Sequence, residues 1–153
     1  LCDRRQRQMC IRDSEYPDLK KVRFIYAASA EHQLYVQCYT QYDLMTICDF
    51  NGNLKCNIYG PKWVNEKTQT QHYSLGVEFC GDKILALYSG GDHRTDAYYP
   101  TKFLVFDLNG NYLKTLETGY MITDFCYDKE NNRLIINLND EIQFAYLDLE
   151  GII

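Results

Sequence analysis

CDFNGNLK at residues 48–55 and FDLNGNYL at residues 106–113 are two copies of one word, and the chain closes on a third, LDLEG, at residues 147–151. Each is an apolar strand running into Asp-x-Asn/Glu-Gly. The Asn-Gly steps suit the positive φ values that a tight hairpin requires. Upstream of each word lies a second shared element, two apolar strands around a polar turn: FIYAASAEHQLYV, VEFCGDKILAL and ITDFCYDKENNRLIINL, with turns at 30–33, 81–83 and 128–133. One unit is therefore strand, turn, strand, variable loop, strand, hairpin, strand. Asp49 and Asp107 are 58 positions apart, and Asp107 and Asp148 are 41 apart. The excess in the middle unit lies mostly in SGGDHRTDAYYPT, residues 89–101, a tolerable insertion because a longer surface loop adds little closure entropy.

Working outward, eleven short apolar or alternating runs are expected as strands, at 23–28, 33–39, 44–49, 54–59, 76–80, 83–88, 103–107, 112–117, 122–127, 133–137 and 143–148. Helical spacing is hard to find between them, which excludes the crossover helices of an α/β fold. The chain reads as all-β. Four antiparallel strands recurring every ~40–50 residues is the blade pattern of a β-propeller. The expectation is a β-propeller fragment of about three four-stranded antiparallel blades, over 19–63, 73–119 and 120–153. The third unit has no fourth strand after Gly151, as expected of a last blade whose closing partner lies elsewhere in the ring.

FLVFDLNGNYLKTLETG, DKENNRLIINLND and FAYLDLEGII resemble the TolB-like six-bladed β-propeller proteins of Bacteroidetes, over most of residues 20–153. That resemblance implies about three of six blades. It also implies an exported lipoprotein of the cell envelope, at the periplasm or outer membrane. Propellers of the NHL type share the D-x-x-G hairpin, so blade number stays open.

The amino end reads differently. LCDRRQRQMCIRDS, residues 1–14, holds four arginines and no aromatic residue. It has no apolar stretch of the ~7–15 residues a secretory signal needs. The run from Arg4 to Asp13 back-translates as CGT CGG CAG CGT CAG ATG TGT ATA AGA GAC, which resembles the adapter of transposase-based sequencing libraries. Residues 1–14 are therefore read as a non-native, adapter-derived segment, and 15–153 as the C-terminal part of a single propeller domain whose earlier blades and any export signal are missing.

Setting that segment aside moves the formal net charge from −5 to −7, which argues against nucleic acid as a partner, since phosphate binding needs clustered Lys and Arg. No apolar run approaches the ~20 residues of a transmembrane segment. Of seven cysteines, Cys38, Cys48, Cys56, Cys80 and Cys126 remain, with no C-x-x-C pair. They read as small buried hydrophobes, with one disulfide left open.

No catalytic constellation, metal site or cofactor is expected. The Asp-x-Asn-Gly turns lack the spaced acidic ligands of a calcium loop. Tyrosines read as packing between blades, Trp63 as a packing plug, and His32 and His72 as turn or surface residues. Polar groups concentrate only in the middle loop, where Asp92, His93, Arg94, Asp96 and Tyr98 are the candidate ligand-binding residues, followed by Tyr99. Two function classes follow: a non-catalytic scaffold binding a protein, peptide or glycan, or a propeller hydrolase or lactonase with metal ligands around the axis. The first is favoured because the inward strands read as apolar or small. Exposed sheet faces predict that the isolated chain self-associates.

Overall fold

The computed structural model describes residues 9–11 and 22–153. Twelve strands are described: β1 Met9–Ile11, β2 Phe24–Ser29, β3 Leu34–Tyr39, β4 Leu44–Asp49, β5 Leu54–Tyr59, β6 Thr70–Cys80, β7 Lys83–Asp92, β8 Lys102–Asp107, β9 Tyr112–Glu117, β10 Ile122–Asp128, β11 Arg133–Leu138 and β12 Phe144–Asp148. They form three antiparallel sheets in chain order: β2 to β5 with β1 added outside β5, then β6 to β9, then β10 to β12. Met9–Ile11 lies inside the segment read as adapter-derived; the rest of that segment lies outside the described residues.

The repeated word is a turn with its own clamp. Asp49 Oδ1 accepts from the amides of Asn51 and Asn53, and Oδ2 from the Asn53 side chain; Asp107 does the same for Asn109 and Asn111. Only the glycine takes a positive φ, +84° at Gly52 and +83° at Gly110. The turn is thus a three-residue loop with a left-handed glycine rather than a two-residue Asn-Gly hairpin. The strand register slips beside it, between Ile47 and Cys48 and between Val105 and Phe106.

Alternation along the strands assigns the faces. In the middle sheet, Val77, Ile84, Ala86, Leu104 and Phe106 pack toward the first sheet. Leu85, Leu87, Phe103 and Val105 pack toward the last, against Phe125, Leu134 and Ile136. Burial on both faces is why ILALY and FLVF read as continuous apolar runs. The last sheet alternates instead: Leu134, Ile136 and Leu138 are buried, while Ile135, Phe144 and Tyr146 are 39%, 69% and 69% exposed.

The sheets repeat one register. Leu34, Lys83 and Arg133 each oppose the aspartate of the repeated word, Asp49, Asp107 and Asp148. Counting from there, Val36, Leu85 and Ile135 are equivalent, as are Ile47, Val105 and Tyr146. The first two members of each set are fully buried against the next sheet. The first strands neighbour one another, β2 beside β6 and β6 beside β10.

Two strands run well past their sequence limits. β6 begins at Thr70 rather than 76, and β7 runs on to Asp92 rather than 88. A bulge accounts for the missed start: register shifts between Tyr73 and Val77, with Leu75 at φ +67°, breaking the alternation a strand is recognised by. Gly76 sits in that bulge, where a Cβ would come within 2.7 Å of the Phe125 ring.

Candidate functional site

Antiparallel connections sort the loops to two ends. The Asp-x-Asn-Gly turns share one end, where His32 meets the Gly81 carbonyl and the Cys56 thiol the Asn109 carbonyl. The other end gathers the loops at 40–43, 60–69, 93–101, 118–121 and 139–143, and this is where the candidate residues stand.

The middle loop is bonded to itself. Asp92 accepts from the Arg94 amide at 2.9 Å and from its guanidinium at 3.0 and 2.6 Å, which holds the Asp92 carboxyl well below the usual range. His93 is tied by its amide and its ring to the Gln69 carbonyl. Thr95 accepts from the Ala97 amide and caps a single 3-10 turn, Asp96–Tyr98. Ser89 Oγ donates to the Ala97 carbonyl, which crosses so close over Gly91 that no side chain fits there. Tyr98 and Tyr99 stack at 4.2 Å. The loop therefore unites all five candidates in one internally hydrogen-bonded feature, with Arg94 and Asp96 exposed and Tyr98 partly so. Its acid–base pair is spent internally, leaving the far edge of the Arg94 guanidinium, the Asp96 carboxylate and the tyrosine pair facing outward.

Beneath the loop lies a buried polar cluster that sequence reading missed. Asp43, in the β3–β4 loop, is fully buried; Oδ2 accepts from the Lys62 amide at 3.0 Å, and Oδ1 has no hydrogen-bond partner. His72, read as a turn or surface residue, is instead 1% exposed on β6 because that strand starts earlier than its pattern suggests. Its Nδ1 lies 3.9 Å from Asp43 Oδ1 and 3.3 Å from the Tyr88 hydroxyl, and Nε2 lies 3.5 Å from Thr68 Oγ1. Burial lowers the His72 pKa; Asp43 opposes that and Lys62 adds to it. The Lys62 ammonium donates to the Gly90 carbonyl at 3.2 Å, tying the cluster to the base of the loop. No sequence signal pairs Asp43 with His72, which are brought together across two sheets.

The first strands of the middle and last sheets carry carboxylates, Glu78 on β6 and Asp124 on β10. Glu78 accepts from the Tyr127 amide at 2.8 Å and bridges two sheets; burial raises its pKa, the amide lowers it, and Asp124 raises it. A cleft of about 490 Å³ runs between β2 and β6, lined by Tyr26, Ser29, Glu31, Glu78 and Phe79. Glu31 there is paired with Lys129 at 2.9 Å.

Four cysteines, Cys38, Cys48, Cys56 and Cys80, are buried; burial pushes the Cys38 and Cys80 thiols up, as inert core residues require. Cys126 departs from that reading and is exposed on the last sheet. Trp63 packs on Tyr59 at 4.7 Å and Tyr42 at 6.0 Å. Among the described residues, no group of three or more His, Cys, Asp or Glu could hold a metal ion, and no helix is long and apolar enough to cross a membrane.

No protein-family model matches the chain, and no curated protein matches it.

Proposed function

We propose that the chain is a section of a β-propeller that serves as a binding scaffold for a protein, peptide or glycan, with the loop-bearing end as its contact surface. The repeated register supports the propeller reading. Each sheet turns the same positions toward the next, and the first strands stand side by side as blades do around an axis. The outward face of the last sheet, with Ile135, Phe144 and Tyr146, then stands where another blade packs, and it is the face through which the chain alone self-associates. The TolB-like resemblance extends the proposal to a six-bladed ring and a cell-envelope address.

The middle loop carries the binding reading: a self-bonded feature on a sheet scaffold, presenting a guanidinium, a carboxylate and a stacked tyrosine pair without an ordering cost on binding. Scaffolding is preferred to hydrolysis because the constellation with the most chemistry, Asp43, His72 and Tyr88, is 0%, 1% and 2% exposed and closed to substrate. Glycan and peptide arrays probed with the wild-type chain, Arg94→Ala and Tyr98→Ala test this. The expected result is a retained ligand bound at least about tenfold more weakly by both variants, the loss of one well-placed contact. Binding untouched by both variants would remove the loop from the site. Lactone or ester hydrolysis abolished by a chelator would overturn the non-catalytic reading.

A further inference from the structure

Hydrogen-bond counting favours one proton position in the buried cluster. The Thr68 hydroxyl has one hydrogen, and carbonyls take it: Gln41 O lies at 3.1 Å and Thr70 O at 3.3 Å. Toward His72 Nε2, 3.5 Å away, it then acts as acceptor; the tautomer that fits carries the ring hydrogen on Nε2 and leaves Nδ1 as an acceptor 3.3 Å from the Tyr88 hydroxyl. A bare Nδ1 also explains Asp43. Nδ1 and Oδ1 then face each other at 3.9 Å, and Oδ1 is buried without a hydrogen-bond partner. One added proton changes both. On Nδ1 it turns the acceptor into a donor aimed at the unpartnered oxygen, in a charge-assisted contact stronger than the Tyr88 bond it displaces.

We propose that Asp43, His72 and Tyr88 form a proton-operated latch between the first two sheets, in which protonation of His72 at Nδ1 transfers its hold from Tyr88 to Asp43. Among the described residues, the groups facing the ring are Asp43 from the β3–β4 loop, Thr68 and Lys62 from the β5–β6 connection, and Tyr88 from β7, whose own ring has the Lys102 ammonium 5.9 Å from its centroid. Lys62 opposes the added charge and Asp43 favours it.

The latch has moving consequences. Asp43 also holds the Lys62 amide, and Lys62 holds the Gly90 carbonyl at the root of the middle loop. Gly60 is pressed on the Asp43 carboxylate so closely that a Cβ would occupy its place. A carboxylate drawn toward His72 therefore pulls on residues 60–63 and, through Lys62, on the loop that presents Arg94. Acid pH is the input and the loop-bearing end is the output, independent of what that end binds.

Trp63, the one tryptophan of the chain, is a native reporter, since its amide donates to Gly60 O and its ring sits on Tyr42, next to Asp43. Long-range imidazole NMR of the wild-type chain is expected to show His72 as the Nε2–H tautomer at pH 8, titrating below its ordinary value of 6.5 while the fold persists. Trp63 emission is expected to change with the same midpoint. The emission transition is expected to be lost in His72→Gln and kept in His93→Gln and His32→Gln, and Tyr88→Phe is expected to raise the His72 midpoint by removing the bond that protonation must break. An Nδ1–H tautomer at pH 8, a ring that stays neutral until the chain unfolds, or a transition that survives His72→Gln would overturn the latch. The NMR measurement needs no variant, so a misfolded variant does not rescue the proposal.

Discussion

The middle and last sheets share a register and differ in what their outer positions meet. Leu85, Phe103 and Val105 are fully buried between the middle sheet and the next, while their equivalents Ile135, Phe144 and Tyr146 are exposed. The two sets are alike in chemistry, so residue type does not separate them. What separates them is a neighbour. An apolar residue stabilises only in proportion to the area a partner removes from water, and the same pattern is core in one sheet and surface in the other.

The largest expected effect breaks this comparison at its strongest point. Phe103→Ala should cost about 3–5 kcal/mol by leaving a cavity against Phe125, whereas Phe144→Ala should stay within about 0.5 kcal/mol, both read from denaturant unfolding midpoints. Equal losses would mean that the outer face of the last sheet is covered in solution. A second measurement sharpens that point: sedimentation should show concentration-dependent self-association of the wild-type chain, reduced by Phe144→Glu with little change in stability. A wild-type chain that stays monomeric at all concentrations would remove the self-association reading.

The two repeated turns support a smaller comparison. Gly52 and Gly110 share the same positive φ, but a Cβ at Gly52 meets open space, whereas at Gly110 it falls 2.8 Å from the Cys56 sulfur. Gly52→Ala should cost about 1 kcal/mol from backbone strain alone, and Gly110→Ala clearly more, the excess measuring how tightly the first and middle sheets pack. Equal costs would show that the first sheet gives way there.

Acid should act on the first two sheets before it acts elsewhere. The folded pKa of His72 lies below its unfolded value of 6.5, chiefly through burial. The folded chain then binds fewer protons than the unfolded one over that interval. The His72 contribution to stability is present in full above about pH 6.5 and is lost as pH falls toward the folded pKa. Unfolding midpoints should therefore fall over that window, and His72→Gln should flatten the fall. The smallest expected change is in the exposed loop: Arg94→Ala should leave the melting temperature nearly unmoved, because an exposed ion pair adds little to stability.

Much of this was legible in the sequence. The Asp-x-Asn-Gly word and the paired apolar runs located eleven strands to within a few residues, because hairpin chemistry and period-two alternation are local. The exceptions have local causes too. The β6 start was hidden by the bulge at Leu75, and the insertion at 89–101 begins as a continuation of β7. Asp92, His93, Arg94, Asp96 and Tyr98 were recognisable as one polar loop, but not that Asp92 and Arg94 spend their charges on each other. Glu78 and Asp124 were overlooked as carboxylates of the first strands, since which strands stand side by side depends on how sheets meet.

The sequence by itself determined an all-β chain of repeated antiparallel units, their turns and which residues alternate to opposite faces, all set by neighbours along the strand. Tertiary structure alone decided which of those faces are buried, and that a histidine 29 positions from Asp43 stands beside it in a buried junction. Burial and pairing depend on the sheet that arrives opposite, and no residue carries that information in its own segment.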